Sequence, residues 1–221
     1  MKPTRIAGVF SKNNKLFTEN LNSCKGLKVY NERLIHYKSK EFRSWNPYRS
    51  KLAAAILQKF TFNIKPDSNV LYLGAATGTT VSHISDIVKD GMVYAVESSP
   101  IAANDLIQLS RRRKNVIPIL EDAYHPERYS FFVPSVDIVY QDISQRNQAE
   151  IFLENIEWYL KKDGLGILMV NARSIDVSLK PKETYELVAD KLREQKLNII
   201  NLIDLSPYEK DHAAIVVSLS F

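Results

Sequence analysis

The chain carries one cysteine, Cys24, in 221 residues. That excludes an internal disulfide and any cysteine-rich zinc site. His36 and His125 lack metal-ligand spacing, so no metal is expected. No apolar run approaches the ~20 residues that a membrane span needs. The first residues, Met1-Lys2-Pro3-Thr4-Arg5, have no apolar signal segment. A soluble protein of a reducing, intracellular compartment is the expectation. Internal repeats and low-complexity tails are missing as well. Charge is nearly balanced, with 30 Lys and Arg against 25 Asp and Glu. The excess of +5 permits an anionic partner and demands none. What remains is ordinary globular composition, 45% hydrophobic and 25% charged, enough for one sizeable core and a small accessory unit.

The most telling segment present is Val70 to Thr80. An apolar β-type run stops at Gly74, Ala75 and Ala76, and Thr77-Gly78-Thr79-Thr80 leads into a helical pattern. Gly74 and Gly78 admit backbone torsions that a β-carbon forbids. The unpaired N–H groups at the start of the next helix face the same space. This strand–turn–helix is suited to a small cofactor.

Residues 1–46 read as a small β-rich N-terminal domain. Val9-Phe10-Ser11-Lys12 and Lys15-Leu16-Phe17-Thr18 flank Asn13-Asn14, a tight-turn signal. A second hairpin is expected around Lys38-Ser39-Lys40. Residues 47–221 read as the larger domain. Pro47 is expected to open a helix running to about Phe60. Strands are expected at 69–73, 92–96, 116–120, 136–141 and 165–171. Helices are expected between them at 79–89, 100–113, 145–160 and 181–195. Such alternation means an α/β fold with a parallel sheet. Segments 197–204 and 213–220 follow without a helix between them, which suggests a terminal antiparallel pair. Seven strands with that ending describe the Rossmann-like methyltransferase architecture better than a dinucleotide-binding one.

In such a sheet, ligands sit at the carboxyl ends of the strands. There the strands deliver Glu97, then Glu121-Asp122-Ala123, then Gln141-Asp142-Ile143-Ser144-Gln145. Glu97 lies about twenty residues past the first glycine, where an acid accepts ribose hydroxyls. Asp122 can accept from an adenine amino group, and Asp142 can face an ammonium, a sulfonium or a lysine. Any one of these acids is equally a solvated loop residue or a helix cap; their shared position on one edge is the signal. Gly74-x-x-x-Gly78 departs from G-x-G-x-x-G, and no lysine follows to make a phosphate loop. The run Arg111-Arg112-Arg113-Lys114 fits a helix-dipole contact as well as RNA. His83 fits either the cofactor side or a satisfied core.

Four motifs resemble the fibrillarin family, the box C/D ribonucleoprotein 2′-O-methyltransferases, in its short archaeal-like form. They are Trp45 to Ile56, Leu71 to Asp86, Ala172-Arg173-Ser174-Ile175-Asp176, and Pro207-Tyr208-Glu209-Lys210-Asp211-His212-Ala213. The resemblance spans nearly the whole chain. It implies S-adenosylmethionine as cofactor and a ribose 2′-hydroxyl of rRNA or tRNA as acceptor. It implies cofactor contacts at the turn Gly74-Ala75, at Thr79 and Thr80, at Glu97 and Ser98, at Asp122 and Ala123, and from Asp142 through Ile143 and Ser144 to Gln145. It further implies a guide RNA, a Nop-domain scaffold protein and a kink-turn-binding ribosomal-type protein as partners, with no membrane. The missing Gly/Arg-rich tail suggests a prokaryotic cytoplasm. The family's catalytic lysine, aspartate and histidine fall on Lys51, Asp142 and His212.

The family's second lysine falls on Asn171, which cannot act as a base. Ser98 stands where a phenylalanine is usual, Tyr124 where an arginine is common, Arg146-Asn147 where Pro-Asp is usual, and Asn31 where a glycine is usual. Asn31 fits if its φ is positive. Three readings follow: an active guide-directed methyltransferase, a catalytically weak structural subunit of the same particle, or a small-molecule enzyme using an adenosine cofactor.

Overall fold

A computed structural model describes residues 1–220. Strands β1 (Lys2–Pro3), β2 (Val9–Lys12), β3 (Lys15–Glu19), β4 (Leu34–Tyr37) and β5 (Lys40–Trp45) form an antiparallel sheet in the order β1-β2-β3-β5-β4. Asn13 and Asn14 make the expected turn with φ of 50° and 57°. Two positive φ values twist a two-residue turn in the sense its strands need. The second hairpin also forms, with Lys38 at φ 55°. Asn31 takes φ 66°, the positive value at which an asparagine is tolerated.

The second sheet holds β6 (Val70–Leu73), β7 (Val93–Glu97), β8 (Val116–Leu120), β9 (Val136–Gln141), β10 (Leu160–Asn171), β11 (Leu197–Asp204) and β12 (His212–Leu219). Their order is β11-β12-β10-β9-β6-β7-β8. β12 runs antiparallel to both its neighbours, as the terminal pair implied. The strand order reverses where β6 lies against β9, which opens a crevice at their carboxyl ends.

The helices are α1 (Lys51–Leu57), α2 (Thr79–Ile87), α3 (Pro100–Arg112), α4 (Gln148–Tyr159), α5 (Ala172–Ile175) and α6 (Pro181–Glu194). Two starts differ from expectation. Pro47 does not open α1. It sits in a turn closed by the Asn46 side chain, whose oxygen accepts from Tyr48 N–H at 3.0 Å. Ser50 caps the helix instead, accepting from Ala53 N–H. Lys59, at φ 67°, ends it before Phe60. Helix α4 starts at Gln148 rather than 145 because the Gln148 side chain ties that corner together. It donates to the carbonyls of Gln145 and Asn171 and accepts from Asn171 N–H at 2.9 Å. The short α5 had no signal in the periodicity. Phe152 and Tyr159 of α4 are core, whereas Trp158 is half exposed.

Two apolar cores lie on the two faces of the sheet. One joins α4 and α6 through Phe152, Tyr185 and Leu192. The other joins α1, α2 and α3 to the N-terminal sheet through Ala54, Ile84, Leu106 and Trp45. Helix α2 is sandwiched there, with every residue from Thr80 to Ile87 buried. Its polar groups therefore need partners inside the protein. Asp86 accepts from Thr18 Oγ1 at 2.6 Å, Arg43 at 2.8 Å and Arg113 at 2.6 Å. Arg43 also pairs with Glu32 at 2.6 Å. Burial disfavours charge on Glu32, but Arg43 and nearby backbone N–H groups hold its carboxyl below the usual range. Arg113 is thus no part of an exposed basic run; only Arg111, Arg112 and Lys114 around it are exposed.

His83 belongs to this layer and not to the cofactor side. It stacks on Trp45 at 4.8 Å, and its ring nitrogens meet Thr18 Oγ1 at 2.7 Å and Tyr30 OH at 2.6 Å. Burial, then the charges of Arg43 and Arg113, push its pKa well below the ordinary value.

Removing one partner from a buried charge cluster leaves the others uncompensated. Asp86→Ala should lower the unfolding free energy by about 3–5 kcal/mol. Arg193→Ala, which breaks an exposed pair with Asp190, should cost at most about 1 kcal/mol. Denaturant titration of both variants measures the contrast. His83 also sets a pH dependence. The unfolded chain takes up a proton near the ordinary pKa of ~6.5 that the folded chain refuses. Stability is therefore full above that pH and falls below it by up to ~1.4 kcal/mol per pH unit from this residue. The same titrations repeated between neutral and mildly acidic pH should show the slope in the wild type, and His83→Gln should remove it.

Candidate active site

The turn after β6 is built by close approach. Gly74 has φ 79°, and a Cβ there would meet the Asp142 carbonyl oxygen at 2.5 Å. Gly78 has φ 87° and lies against Leu106 and Leu109 of α3. The backbone between them folds onto Glu97. The Glu97 carboxylate accepts from Ala76 N–H at 2.8 Å and from Ser99 N–H at 2.8 Å. Each oxygen keeps a second lone pair.

A cleft of about 270 Å³ opens at this edge. Of the residues expected at a cofactor, Gly74, Glu97, Ser98, Asp122, Ala123 and the run Asp142 to Gln145 line it. Three do not. Ala75 is buried, Thr80 is buried with its hydroxyl donating to Ser50 Oγ at 2.9 Å, and Thr79 faces a different cavity. Ala76 and Glu121, placed at the strand ends but given no cofactor contact, also line the cleft, as does Val96, which the sequence did not single out. Ala76 takes φ 47°, which is rare for alanine, and its Cβ hid its part in the turn.

The charge in the cleft has one sign. Glu97, Glu121, Asp122 and Asp142 line it, and among the described residues lining it none is basic. Asp122 has one carboxylate oxygen on Tyr124 N–H at 3.0 Å and the other free. Such a wall repels phosphate and attracts a cation. The residues thus fit a nucleoside that carries positive charge and no phosphate.

Beside the cleft, Lys51 Nζ lies 2.5 Å from Asp142 Oδ1, both side chains largely buried. Lys51 is the first residue of α1 and Asp142 directly follows β9, so the pair joins elements far apart in sequence. Asn171 and His212 face each other across β10 and β12. His212 Nδ1–H donates to the Lys210 carbonyl at 2.7 Å, leaving Nε2 as an acceptor. The Asn171 side chain donates to Ser144 Oγ at 3.2 Å and accepts from Ser174 N–H at 3.2 Å. Lys51, Asp142, Ser144, Asn171 and His212 thus form one connected rim.

The Fibrillarin family model matches residues 1–221. The chain belongs to the fibrillarin family. It is 48% identical over 211 residues to the fibrillarin-like rRNA/tRNA 2′-O-methyltransferase of Methanothermobacter thermautotrophicus, covering 95% of this chain and 93% of the relative. Among solved structures it is similar to a fibrillarin/Nop5p complex, with TM-score 0.90, 41% identity, and 97% and 99% of the two chains covered. It is also similar to Aeropyrum pernix fibrillarin with natively bound S-adenosyl-L-methionine, with TM-score 0.82, 40% identity, and 92% and 88% covered. The fold is therefore the seven-stranded methyltransferase fold with an added N-terminal sheet.

Of the departures from the family pattern that the sequence suggested, Asn31 lies before β4 and three others fall around the cleft. Ser98 lines it, Tyr124 is exposed beside it, and Arg146 follows its last lining residue. The turn at Gly74 allows a direct check. Gly74→Ala adds both αL strain and a clash with Asp142. Gly26→Ala adds strain alone, since Gly26 has φ 78° and nothing within 4 Å of a Cβ. Gly26→Ala should cost ~1–2 kcal/mol, and Gly74→Ala clearly more. Equal losses in denaturant titration would show that the close approach at Asp142 carries no constraint.

Proposed function

We propose that this chain is an S-adenosylmethionine-dependent 2′-O-methyltransferase of rRNA and tRNA, directed by a box C/D guide RNA in a particle held by a Nop-domain scaffold. The observation that carries the reading is the cleft's charge. Four carboxylates and no base among its described lining residues suit a cationic nucleoside, and the connected rim of Lys51, Asp142, Asn171 and His212 adjoins it. The names of the relatives support the same reading.

Glu97 would hold the ribose hydroxyls on its remaining lone pairs, and the free oxygen of Asp122 would take the adenine amino group. Asp142 would face the positive end. Bound there, S-adenosylmethionine supplies a methyl group on a sulfonium. The residues on the rim then deal with the acceptor hydroxyl, a poor nucleophile until its proton leaves. Nε2 of His212 is free to hold that proton. Lys51, paired to Asp142, offers its remaining N–H donors to the charge that develops on the oxygen. Asn171 can donate to the acceptor with the N–H not used on Ser144, but it cannot take a proton.

One observation favours a second reading, a particle subunit that binds cofactor and scaffold but transfers methyl slowly. Asn171 removes one of the two lysines the family places at the rim. Two measurements test these readings. Titration calorimetry should show S-adenosylmethionine binding and Glu97→Gln weakening it, with ATP not bound; no binding at millimolar ligand sinks the proposal. In the assembled particle, His212→Ala should lower the methylation rate by ~10²–10⁴-fold, the usual worth of acid–base help, with cofactor affinity unchanged. Asn171→Lys should raise the rate. A wild type with negligible rate that Asn171→Lys rescues strongly would establish the slow subunit instead.

A further inference from the structure

A second cavity, of about 440 Å³, opens on the far side of the glycine turn from the cofactor cleft. It lies between the loop after β3, the turn before α1, and the exposed side of α3. Its lining has the opposite charge. Lys28, Arg49 and Arg112 come to it from those three separate elements, all exposed. Among the described residues, none of the three has an ion-pair partner within 4.0 Å. Asp105 is the only acid in the lining, and Thr77 and Thr79 add hydroxyls.

Arg49 is already positioned. Its guanidinium lies over the Tyr30 ring, 5.2 Å from the centroid, and donates to the Tyr30 carbonyl at 3.3 Å. A planar guanidinium held on one side still has N–H donors on its outer edge. Arg49 is also two residues before Lys51, so the two backbones are roughly 7 Å apart at most. A strand that presents its ribose to Lys51 therefore passes within reach of Arg49.

Resting on the RNA-acceptor reading above, we propose that this cavity binds the phosphodiester backbone of the acceptor RNA strand, with Arg49, Lys28 and Arg112 as the phosphate contacts. The argument for a chain of phosphates is the layout. Separate point charges on three elements, around a cavity larger than one phosphate, match a polyanion passing through. Thr79, absent from the cofactor cleft, lines this cavity instead. The glycine turn stands between the two cavities, with Gly74 and Ala76 lining the one that would take a cation and Thr77 lining the one that would take a polyanion.

The test is fluorescence anisotropy of a short labelled single-stranded RNA with the full chain, at ~50 and ~200 mM salt. Arg49→Gln, Lys28→Gln and Arg112→Gln combined should weaken binding by about tenfold or more. They should also flatten the slope of log affinity against log salt by about 2, since each single-strand phosphate contact contributes ~0.7. Arg49→Lys should retain most of the affinity that Arg49→Gln loses. The control combines Lys65→Gln, Lys89→Gln and Lys162→Gln, exposed lysines near the opposite end of the strands. An equal loss in that control, or an unchanged slope in the test variant, overturns the proposal. Unchanged RNA binding with weakened binding to a Nop-domain scaffold would overturn it in favour of an acidic protein surface. Calorimetry with S-adenosylmethionine on the same variants keeps the questions separate. A chain that binds RNA as described but no cofactor loses the enzymatic reading and keeps this one.

Discussion

The carboxylate of Asp86 is fully buried and is held by two guanidiniums and a hydroxyl. Arg43 and Thr18 come from the N-terminal sheet and Arg113 from the end of α3, so one group on α2 binds three other elements. A buried cluster of this kind adds little net stability over an apolar packing, because desolvation offsets the attraction. What it adds here is position. Arg43 lies on β5, which leads through Trp45 into the Asn46–Arg49 turn and so to Ser50, whose hydroxyl accepts from Thr80 on α2. Lys51 is the next residue. Its place opposite Asp142 therefore depends on α2 being fixed against both sheets.

The same arrangement separates charges of opposite sign. The carboxyl ends of β7, β8 and β9 deliver acids to one side of the glycine turn, and the N-terminal loops deliver cations to the other. A single polypeptide layer stands between them, so a cationic cofactor and the polyanionic acceptor proposed above would each keep to its own side. Only at the rim, where Lys51 meets Asp142, do the signs come into contact.

Much of this was legible in the sequence wherever the signal was local. Asn13-Asn14 announced its hairpin because two positive φ values suit asparagine. The strand ends announced their acids because alternation in the chain fixes which residue follows each strand. Long-range partners were harder to see. Arg113 sat inside a basic run that resembled a solvated helix end, and nothing nearby marked Asp86 as its partner. Pro47 carried a helix-start signal, but the Asn46 side chain closed a turn first and passed the cap to Ser50. Thr79 and Thr80 were drawn toward the cofactor by their motif. The Thr80 hydroxyl is spent on Ser50, and Thr79 lines the cavity on α3's side, two long-range placements that no local pattern marks.

Asn171 stands where the family resemblance implies a lysine, and its amide has structural work of its own. Its amide oxygen caps α5, and its amide nitrogen reaches Ser144, which lines the cofactor cleft. A lysine has no acceptor and could not make that cap. Compared with the lysine that the family resemblance implies here, Asn171 lacks a titratable amine and makes a link between the end of β10 and the cleft wall. The cross-strand register of β10 with β12 sets His212 opposite that link, and its Nδ1–H bond to Lys210 leaves Nε2 as the acceptor. In the reaction proposed for this chain, proton uptake at the rim would then fall to His212, with Asn171 holding the geometry around it.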